Sequence, residues 1–193
     1  MAKVKSVMIV GVGGQGSLLA SKLLGNVLLS RGFDVKVSEV HGMSQRGGSV
    51  VTYVRYGDKV YSPIVAEGEA DAIVSFERLE AARWLPYLKQ GGRLIVNDQR
   101  IDPMPVITGA AQYPDGILDK LAATGASLLA IDALSLAEQA GSAKAVNVVL
   151  MGVLSNLLDI PEEAWQASLK ACVPPKFLEL NRRAFALGRS YTA

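Results

Sequence analysis

Two glycine-rich turns hold the residue types that could bind an anion or transfer a proton. They span residues 11–16 and 39–49. In the first turn, Gly11, Gly13 and Gly16 fit the spacing of dinucleotide-binding loops, where backbone N–H groups at a helix start meet a phosphate. Because glycine also permits a tight strand-to-helix turn, nucleotide binding and simple close packing are both consistent with this pattern.

The second turn carries most of the reactive side chains. His41 is the single histidine of the chain, so any histidine-based proton transfer must use it; otherwise it is a hydrogen-bonded turn residue. Arg46 offers a planar fork for a phosphate or carboxylate, or forms an internal ion pair with Glu39. Glu39 also follows the first turn by roughly the number of residues at which an acidic residue of a dinucleotide-binding fold contacts the ribose. Ser44 has no triad around it, and the metal-ligating residue types do not cluster, which disfavours a hydrolase and a metal site.

Alternating apolar strands and helices are predicted to position both turns. A strand at 6–10 precedes the first turn, a helix at 17–29 follows it, and a second strand at 33–40 leads into the second turn. In such a βαβ unit both turns leave the carboxyl edge of the sheet, where open α/β folds bind ligands and partners. We therefore expect the turns to lie side by side. Polar residues at the ends of later strands share this edge: Glu77, Asn97 and Asp132.

The remaining patterns predict a Rossmann-like α/β fold with a mostly parallel sheet, helices on both faces and a β-hairpin insertion. The hairpin joins 50–56 to 59–62 through a two-residue turn. Further strands are predicted at 71–76, 93–98 and 127–131, with a short one at 106–108, and Gly91–Gly92 is predicted as a turn. Helices are predicted at 77–89, 115–124, 133–140, 145–158, from 161 onward, and at 176–187. With no repeat or linker, residues 1–193 are predicted to form a single domain.

Segment 145–158 is apolar nearly all round, as in a helix that is covered on most sides. The cover is either the sheet of its own chain or, in part, another subunit. Gly152 and Ser155 would let a neighbouring backbone approach closely.

Composition argues against several classes of function. A formal charge of +2 and the lack of a Lys/Arg-rich block disfavour nucleic-acid binding. No segment has the length and apolar purity of a membrane span. The single cysteine, Cys172, excludes an internal disulfide and an iron–sulfur cluster held by four cysteines of this chain alone. We expect a cytoplasmic protein.

The two turns together are far more specific than a glycine spacing. Gly11-Val12-Gly13-Gly14-Gln15-Gly16, followed by residues 39–50, resembles the gamma-type component of the 2-oxoacid:ferredoxin oxidoreductases. The form His-Gly-Met-Ser-Gln-Arg-Gly-Gly at 41–48 is most similar to the beta subunits of indolepyruvate ferredoxin oxidoreductases. The likeness continues along nearly the whole chain, through segments such as Gly68-Glu69-Ala70-Asp71 and Asn147-Val148-Val149-Leu150.

The resemblance implies a subunit of an enzyme that oxidatively decarboxylates aryl 2-oxoacids such as indolepyruvate to acyl-coenzyme A and passes electrons to ferredoxin. Thiamine diphosphate and iron–sulfur clusters would belong to a large alpha subunit, with coenzyme A as co-substrate. This chain would hold no redox cofactor, no metal and no catalytic residue, and would be inactive alone. The ligand- or partner-binding residues would be Gly13, Gly14, Gln15, Gly16, His41, Met43, Ser44, Gln45, Arg46, Gly47 and Gly48.

Two alternatives from other functional classes remain. A separate NAD- or FAD-binding oxidoreductase is supported by the glycine spacing and Glu39. A binding module without an enzymatic partner is supported by the apolar segment 145–158.

Overall fold

A six-stranded sheet forms the centre of the molecule, with strand order β2-β3-β1-β4-β5-β6. The structure, a computed structural model, describes residues 4–39, 44 and 46–191. The predicted site residues His41, Met43 and Gln45 lie outside the described residues. The strands are β1 (Lys5–Val12), β2 (Asp34–Glu39), β3 (Ser49–Gly57), β4 (Ala70–Ser75), β5 (Leu88–Asn97) and β6 (Ser127–Ile131).

The sheet is mostly parallel, as predicted, but one antiparallel strand lies inside it. β1, β4, β5 and β6 pair in parallel, whereas β3 is antiparallel to both β1 and β2. β1 and β2 therefore run in the same direction with β3 between them. Because neighbouring strands are about 4.8 Å apart, the end of β2 lies roughly 10 Å from β1, farther than in a simple βαβ pair.

The predicted hairpin between 50–56 and 59–62 is wrong, although 50–56 does lie in a strand. β3 uses both of its edges to pair with β1 and β2, so no edge remains for 59–62. Asp34 instead accepts the backbone N–H of Val60 at 2.8 Å, and Arg55 donates to the carbonyl oxygen of Ile64 at 2.8 Å. The hairpin-like pair is formed by the consecutive antiparallel strands β2 and β3.

Helices cover both faces of the sheet, as predicted. They are α1 (Ser17–Ser30), α2 (Arg78–Trp84), α3 (Met104–Ile107), α4 (Ile117–Ala123), α5 (Ala133–Ala140), α6 (Val146–Ser155), α7 (Glu162–Cys172) and α8 (Leu178–Arg189). Residues of α1, α5, α6, α7 and α8 pack in the core on one face, and those of α2 and α4 pack on the other. In the described part of the chain, no helix is long and apolar enough to cross a membrane.

The apolar helix α6 is buried at every position by its own chain. A Cβ atom added at Gly152 would lie 2.2 Å from the carbonyl oxygen of Phe185, and one added at Gly188 would lie 1.9 Å from that of Val149. The two glycines therefore let the backbones of α6 and α8 touch. Gly188 lies inside α8, and the cover of α6 needs no second subunit.

Two predicted boundaries shift where proline and glycine interrupt the local pattern. The helix predicted at 77–89 ends at Trp84 and tightens into a 3₁₀ turn at Leu85–Tyr87, which contains Pro86. Gly91 and Gly92, predicted as a turn, lie inside β5, where its register against β4 shifts. A Cβ atom at Gly92 would lie 3.0 Å from the carbonyl oxygen of Ala70, so this irregular pairing requires glycine.

Residues 106–108, predicted as a short strand, belong to α3 and its carboxyl end. The backbone N–H groups of Val106 and Ile107 donate to the carbonyl oxygen of Pro103 at 2.9 and 3.1 Å. These short-range bonds close a helical turn instead of pairing with a neighbouring strand.

Candidate functional site

The two glycine-rich turns lie side by side at the carboxyl edge of β1, as predicted. The N–H of Gly13 donates to the carbonyl of Gly48 at 2.8 Å, and the N–H of Gly47 donates to the carbonyl of Gly13 at 3.2 Å. Gly47 has a φ of 88°, and a Cβ atom at Gly48 would lie 2.9 Å from the Cα of Ser44. The conformation of the second turn therefore depends on the missing side chains of Gly47 and Gly48, and the two backbone hydrogen bonds hold it against the first turn.

The first turn is held against α6 where it passes into α1. Gly16 has a φ of 86°, and its carbonyl accepts the amide of Asn147 at 3.1 Å. A Cβ atom at Gly16 would lie 2.6 Å from the same amide nitrogen. The buried residue Asn147 therefore fixes the start of α1, and only a glycine fits beneath it.

The Gln15 side chain, predicted to bind a ligand or partner, makes its hydrogen bonds inside the chain. Its Oε1 accepts the N–H of Val12 at 2.8 Å. Its Nε2 donates to the carbonyl of Phe76 at 3.0 Å and to Oε1 of Gln99 at 3.3 Å. Gln15 thus connects the ends of β1 and β4 to the loop after β5.

This amide lies at the topological switch point of the sheet. α1 follows β1 on one face and α2 follows β4 on the other, so the crevice between β1 and β4 is where a dinucleotide-binding fold holds its pyrophosphate. A Cβ atom at Gly11 would lie 2.9 Å from the Cβ of Phe76 and 2.8 Å from Oε1 of Gln15. The side chains of Gln15 and Phe76 therefore occupy the space next to Gly11 in this crevice.

Two cavities remain on either side of the first turn. The first measures about 390 Å³ and is lined by Gly13, Gly14, Gly16, Ser17, Leu18, Arg46, Val50, Val51 and Thr52. The second measures about 470 Å³ and is lined by Gly14, Gln15, Gly16, Gln99, Ile101, Leu134, Ala143, Lys144 and Val146. Each contains one basic residue, which gives both cavities a positive side.

Two carboxylates are buried at the start of α2, behind the turns. Glu77 is 1% exposed and accepts the hydroxyl of Tyr113 and the backbone N–H groups of Glu80 at 2.9 Å and Ile101 at 3.3 Å. Burial, followed by the hydrogen bond to Glu77, raises the pKa of Tyr113 well above its usual value. The strand pattern places Glu77 at this edge but not Glu80, whose three-residue spacing from Glu77 at a helix start is the local signal for its position.

The other predicted edge residues have structural partners. Glu39 accepts the hydroxyl of Ser21 at 2.5 Å, which fastens β2 to α1. Asn97 is fully buried and accepts the N–H of Ala133 at 3.1 Å. Asp132 caps α5, and the hydrogen bonds from the side chain and backbone of Ser135 lower its pKa.

Cys172 is half-buried, with its Sγ 3.9 Å from the carbonyl oxygen of Lys22. Within residues 4–39, 44 and 46–191, no group of three or more His, Cys, Asp or Glu side chains is placed to hold a metal ion.

Known relatives cover nearly the whole chain. Residues 6–191 match the model of the pyruvate ferredoxin/flavodoxin oxidoreductase family. Subunit IorB of the indolepyruvate oxidoreductase from Thermococcus kodakarensis is 46% identical, over 95% of this chain and 93% of that protein. The IorB subunit from Archaeoglobus fulgidus is 37% identical over 95% of this chain and 92% of its own length.

Solved structures show the same fold. The gamma subunit of a keto/oxoacid ferredoxin oxidoreductase from Geobacter sulfurreducens superposes with a TM-score of 0.71 at 24% identity, covering 95% of each chain. The 2-oxoglutarate:ferredoxin oxidoreductase from Magnetococcus marinus gives a TM-score of 0.73 at 20% identity, over 98% of this chain but 32% of that one. The chain therefore belongs to the pyruvate ferredoxin/flavodoxin oxidoreductase family, and it is similar to IorB subunits over more than nine-tenths of its length.

Proposed function

We propose that this chain is the small subunit of a ferredoxin-dependent oxidoreductase that oxidatively decarboxylates aryl 2-oxoacids of the indolepyruvate type to acyl-coenzyme A. The supporting observation is the order of identities among its relatives. Indolepyruvate oxidoreductase subunits are 34–46% identical to it, whereas a 2-oxoglutarate synthase subunit is 29% identical and a pyruvate/ketoisovalerate subunit is 25% identical. The chain is thus most similar, among these relatives, to those named for an aryl substrate.

The chemistry in this proposal is divided between subunits in the cytoplasm. A large alpha subunit holds thiamine diphosphate and the iron–sulfur clusters, coenzyme A enters as co-substrate, and electrons leave to ferredoxin. A single cysteine cannot supply the thiolate ligands of such a cluster, which supports this division. The purified chain should contain no stoichiometric iron and no thiamine diphosphate, and it should have no oxidoreductase activity. Iron–sulfur absorbance in the isolated chain would contradict the proposal.

The docking surface in this proposal is the pair of glycine-rich turns, including Gly13, Gly14, Gly16, Arg46, Gly47 and Gly48. His41, Met43, Ser44 and Gln45 complete it, while Gln15 supports it from behind. The support is geometric: Gly14 and Gly47, with nothing within 4 Å of an added Cβ atom, leave the backbone open to another chain, and Arg46 lines the cavity beside the first turn. We propose that Arg46 pairs with an acidic group of the large subunit or holds an anionic ligand at the shared cleft.

Reconstitution with the large subunit tests this surface. Loss of a charged hydrogen bond at an interface costs about 2–5 kcal/mol, so Arg46→Ala should weaken assembly or turnover roughly 30-fold or more. Arg46→Lys should restore only part of the loss because lysine lacks the planar fork. Arg31→Ala is the matched control, since Arg31 is exposed at the other end of α1. If Arg46→Ala assembles and turns over like the parent, the docking role is wrong.

The alternative of a separate NAD- or FAD-binding oxidoreductase rests on the glycine spacing and Glu39. β3 separates Glu39 from β1, and Gln15 occupies space at the end of β1, beside the crevice in which a pyrophosphate would lie. We therefore expect no saturable micromolar binding when NADH is titrated into the chain by calorimetry. Saturable binding would instead favour the dehydrogenase.

A further inference from the structure

The carboxylate of Glu80 is buried directly behind the second glycine turn. It is 4% exposed and accepts the hydroxyl of Ser49, the Nε of Arg83 at 3.1 Å and the Nε1 of Trp84 at 3.3 Å. Arg83 and Trp84 lie with Glu80 on α2, whereas Ser49 is the first residue of β3. A single carboxylate therefore bonds α2 to the strand that leaves the turn.

This bond acts at the end of the sheet, next to the second turn. Ser49 is the terminal residue of the ladder between β3 and β1, opposite Val12, and it is itself exposed. The turn immediately before Ser49 is held by backbone bonds of Gly47 and Gly48 to Gly13 and by the bond from the N–H of Gly48 to the carbonyl of Ser44 at 3.0 Å. The Ser49–Glu80 bond adds an anchor on the opposite side, from a different element.

Glu80 is in turn fixed by its neighbours. Its backbone N–H donates to the Glu77 side chain at 2.9 Å, and Glu77 is held by Tyr113 and by the backbone of Ile101. The acceptor for Ser49 therefore sits on a rigid, buried support. Such support is what keeps a binding residue in its productive position.

We propose that Glu80, acting through Ser49, is a positioning residue that holds the turn of residues 44–48 for docking onto the large subunit. The inference rests on the proposed docking role of Arg46, which lies three residues before Ser49. Glu80 and Ser49 touch no partner in this arrangement. They restrict the turn, so that the arginine does not lose conformational freedom on assembly.

Two single variants separate positioning from folding. Ser49→Ala should weaken association of the reconstituted complex about tenfold, because the freed turn must then be ordered on assembly, at about the cost of immobilising one residue. Its melting temperature is measured beside that of Ser135→Ala, which removes a hydroxyl-to-carboxylate bond to the exposed Asp132, at 2.5 Å in the cap of α5, and should leave association unchanged. Glu80→Gln should retain most of the association, because an amide oxygen can still accept from Ser49 and Trp84.

A double variant tests whether Ser49 acts through Arg46. If it does, adding Ser49→Ala to Arg46→Ala should cause no further loss of association. Equal losses in both backgrounds would show that the residues act independently and would overturn the proposal. Parent-like association of Ser49→Ala, with Arg46→Ala impaired, would overturn it while leaving the docking role intact. If Arg46→Ala itself has no effect, the docking role and this inference both fail.

Discussion

The side chain of Gln15 provides a sharp test of how the glycine-rich turn works. Gln15→Ala removes the acceptor of the Val12 N–H, at 2.8 Å, and the donor to the Phe76 carbonyl, at 3.0 Å. The Phe76 carbonyl keeps a second donor, the amide of Asn97 at 3.2 Å, but the N–H of Val12 loses the partner described here.

The expected cost of Gln15→Ala follows from these bonds. A partly buried N–H left without an acceptor costs about 1–3 kcal/mol, and the lost side-chain packing adds about 1 kcal/mol. We therefore expect the free energy of unfolding to fall by about 2–4 kcal/mol. For a domain of this size, that lowers the melting temperature by roughly 4–16 °C.

Gln15→Glu should behave differently because it changes the bonding while keeping the shape. One carboxylate oxygen can still accept from Val12, but the other faces two acceptors, the Phe76 carbonyl and Oε1 of Gln99. Those acceptors raise the folded-state pKa of the new carboxyl. Its neutral form can donate a hydrogen bond to the Phe76 carbonyl, so the variant should be most stable at low pH and lose stability as the pH rises through that pKa. At pH 7 it should be less stable than Gln15→Ala.

Gln15 has either a structural role inside the chain or a role in contacting a ligand or partner. Calorimetric melting of the isolated chain at pH 4 and pH 7, together with the activity of the reconstituted complex, distinguishes these two roles. A structural role predicts the ordering above, with the pH effect confined to Gln15→Glu. If Gln15→Ala instead melts within about 1 °C of the parent while activity of the complex falls, Gln15 contacts a ligand or partner and the reasoning is refuted.

Two further predictions concern stability. Gly188→Ala should lower the free energy of unfolding by about 3 kcal/mol or more, because the new Cβ would lie 1.9 Å from the Val149 carbonyl oxygen. Gly14→Ala should lower it by only about 1–2 kcal/mol, since Gly14 has a φ of 102° but nothing within 4 Å. Equal melting temperatures of the two variants would contradict the close contact between α6 and α8. Burial, with a smaller effect of Asp71, raises the pKa of Tyr56 to about 12 from its ordinary value of 10.0. Tyr56 therefore ionises at a lower pH in the unfolded chain than in the folded one, and the free energy of unfolding should fall as the pH rises from 10 to about 12. Tyr56→Phe should lose less stability over that range in alkaline denaturation, and parallel curves would contradict the assignment.

Elements fixed by local signals could be predicted from the sequence. The strand at 127–131 and the helix at 133–140 have the predicted bounds. Asp132 caps the helix start through Ser135, and Gly141 ends it with a φ of 116°. These bonds join residues a few positions apart, so the local sequence contains them.

The position of β3 could not be predicted in the same way. An apolar, β-branched run such as 50–56 has the same local pattern at a sheet edge and at its centre. Its insertion between β1 and β2 depends on pairing with strands far away in sequence. The Asp34 side chain, 26 residues from Val60, likewise removes 59–62 from the predicted hairpin.

The candidate site shows the same limit at the level of side chains. Sequence spacing placed Gln15 at the right edge of the sheet, but its partners Phe76 and Gln99 lie 61 and 84 residues away. Whether an amide at this position points outward to a ligand or inward to the chain depends on those partners. The inward orientation therefore became visible only in the folded structure.

Two glycines of the dinucleotide-like spacing, Gly11 and Gly16, have a packing role within the chain. In a dinucleotide-binding loop the missing side chains leave room for a pyrophosphate. Here the space beside Gly11 is taken by Phe76 and Gln15, and the space beside Gly16 by Asn147, while Gly14 has nothing within 4 Å. A ligand or partner approaching the turn therefore meets the outer side of the loop at Gly14 instead of the crevice between β1 and β4. That outer side borders both cavities, which is the geometry expected of a docking surface.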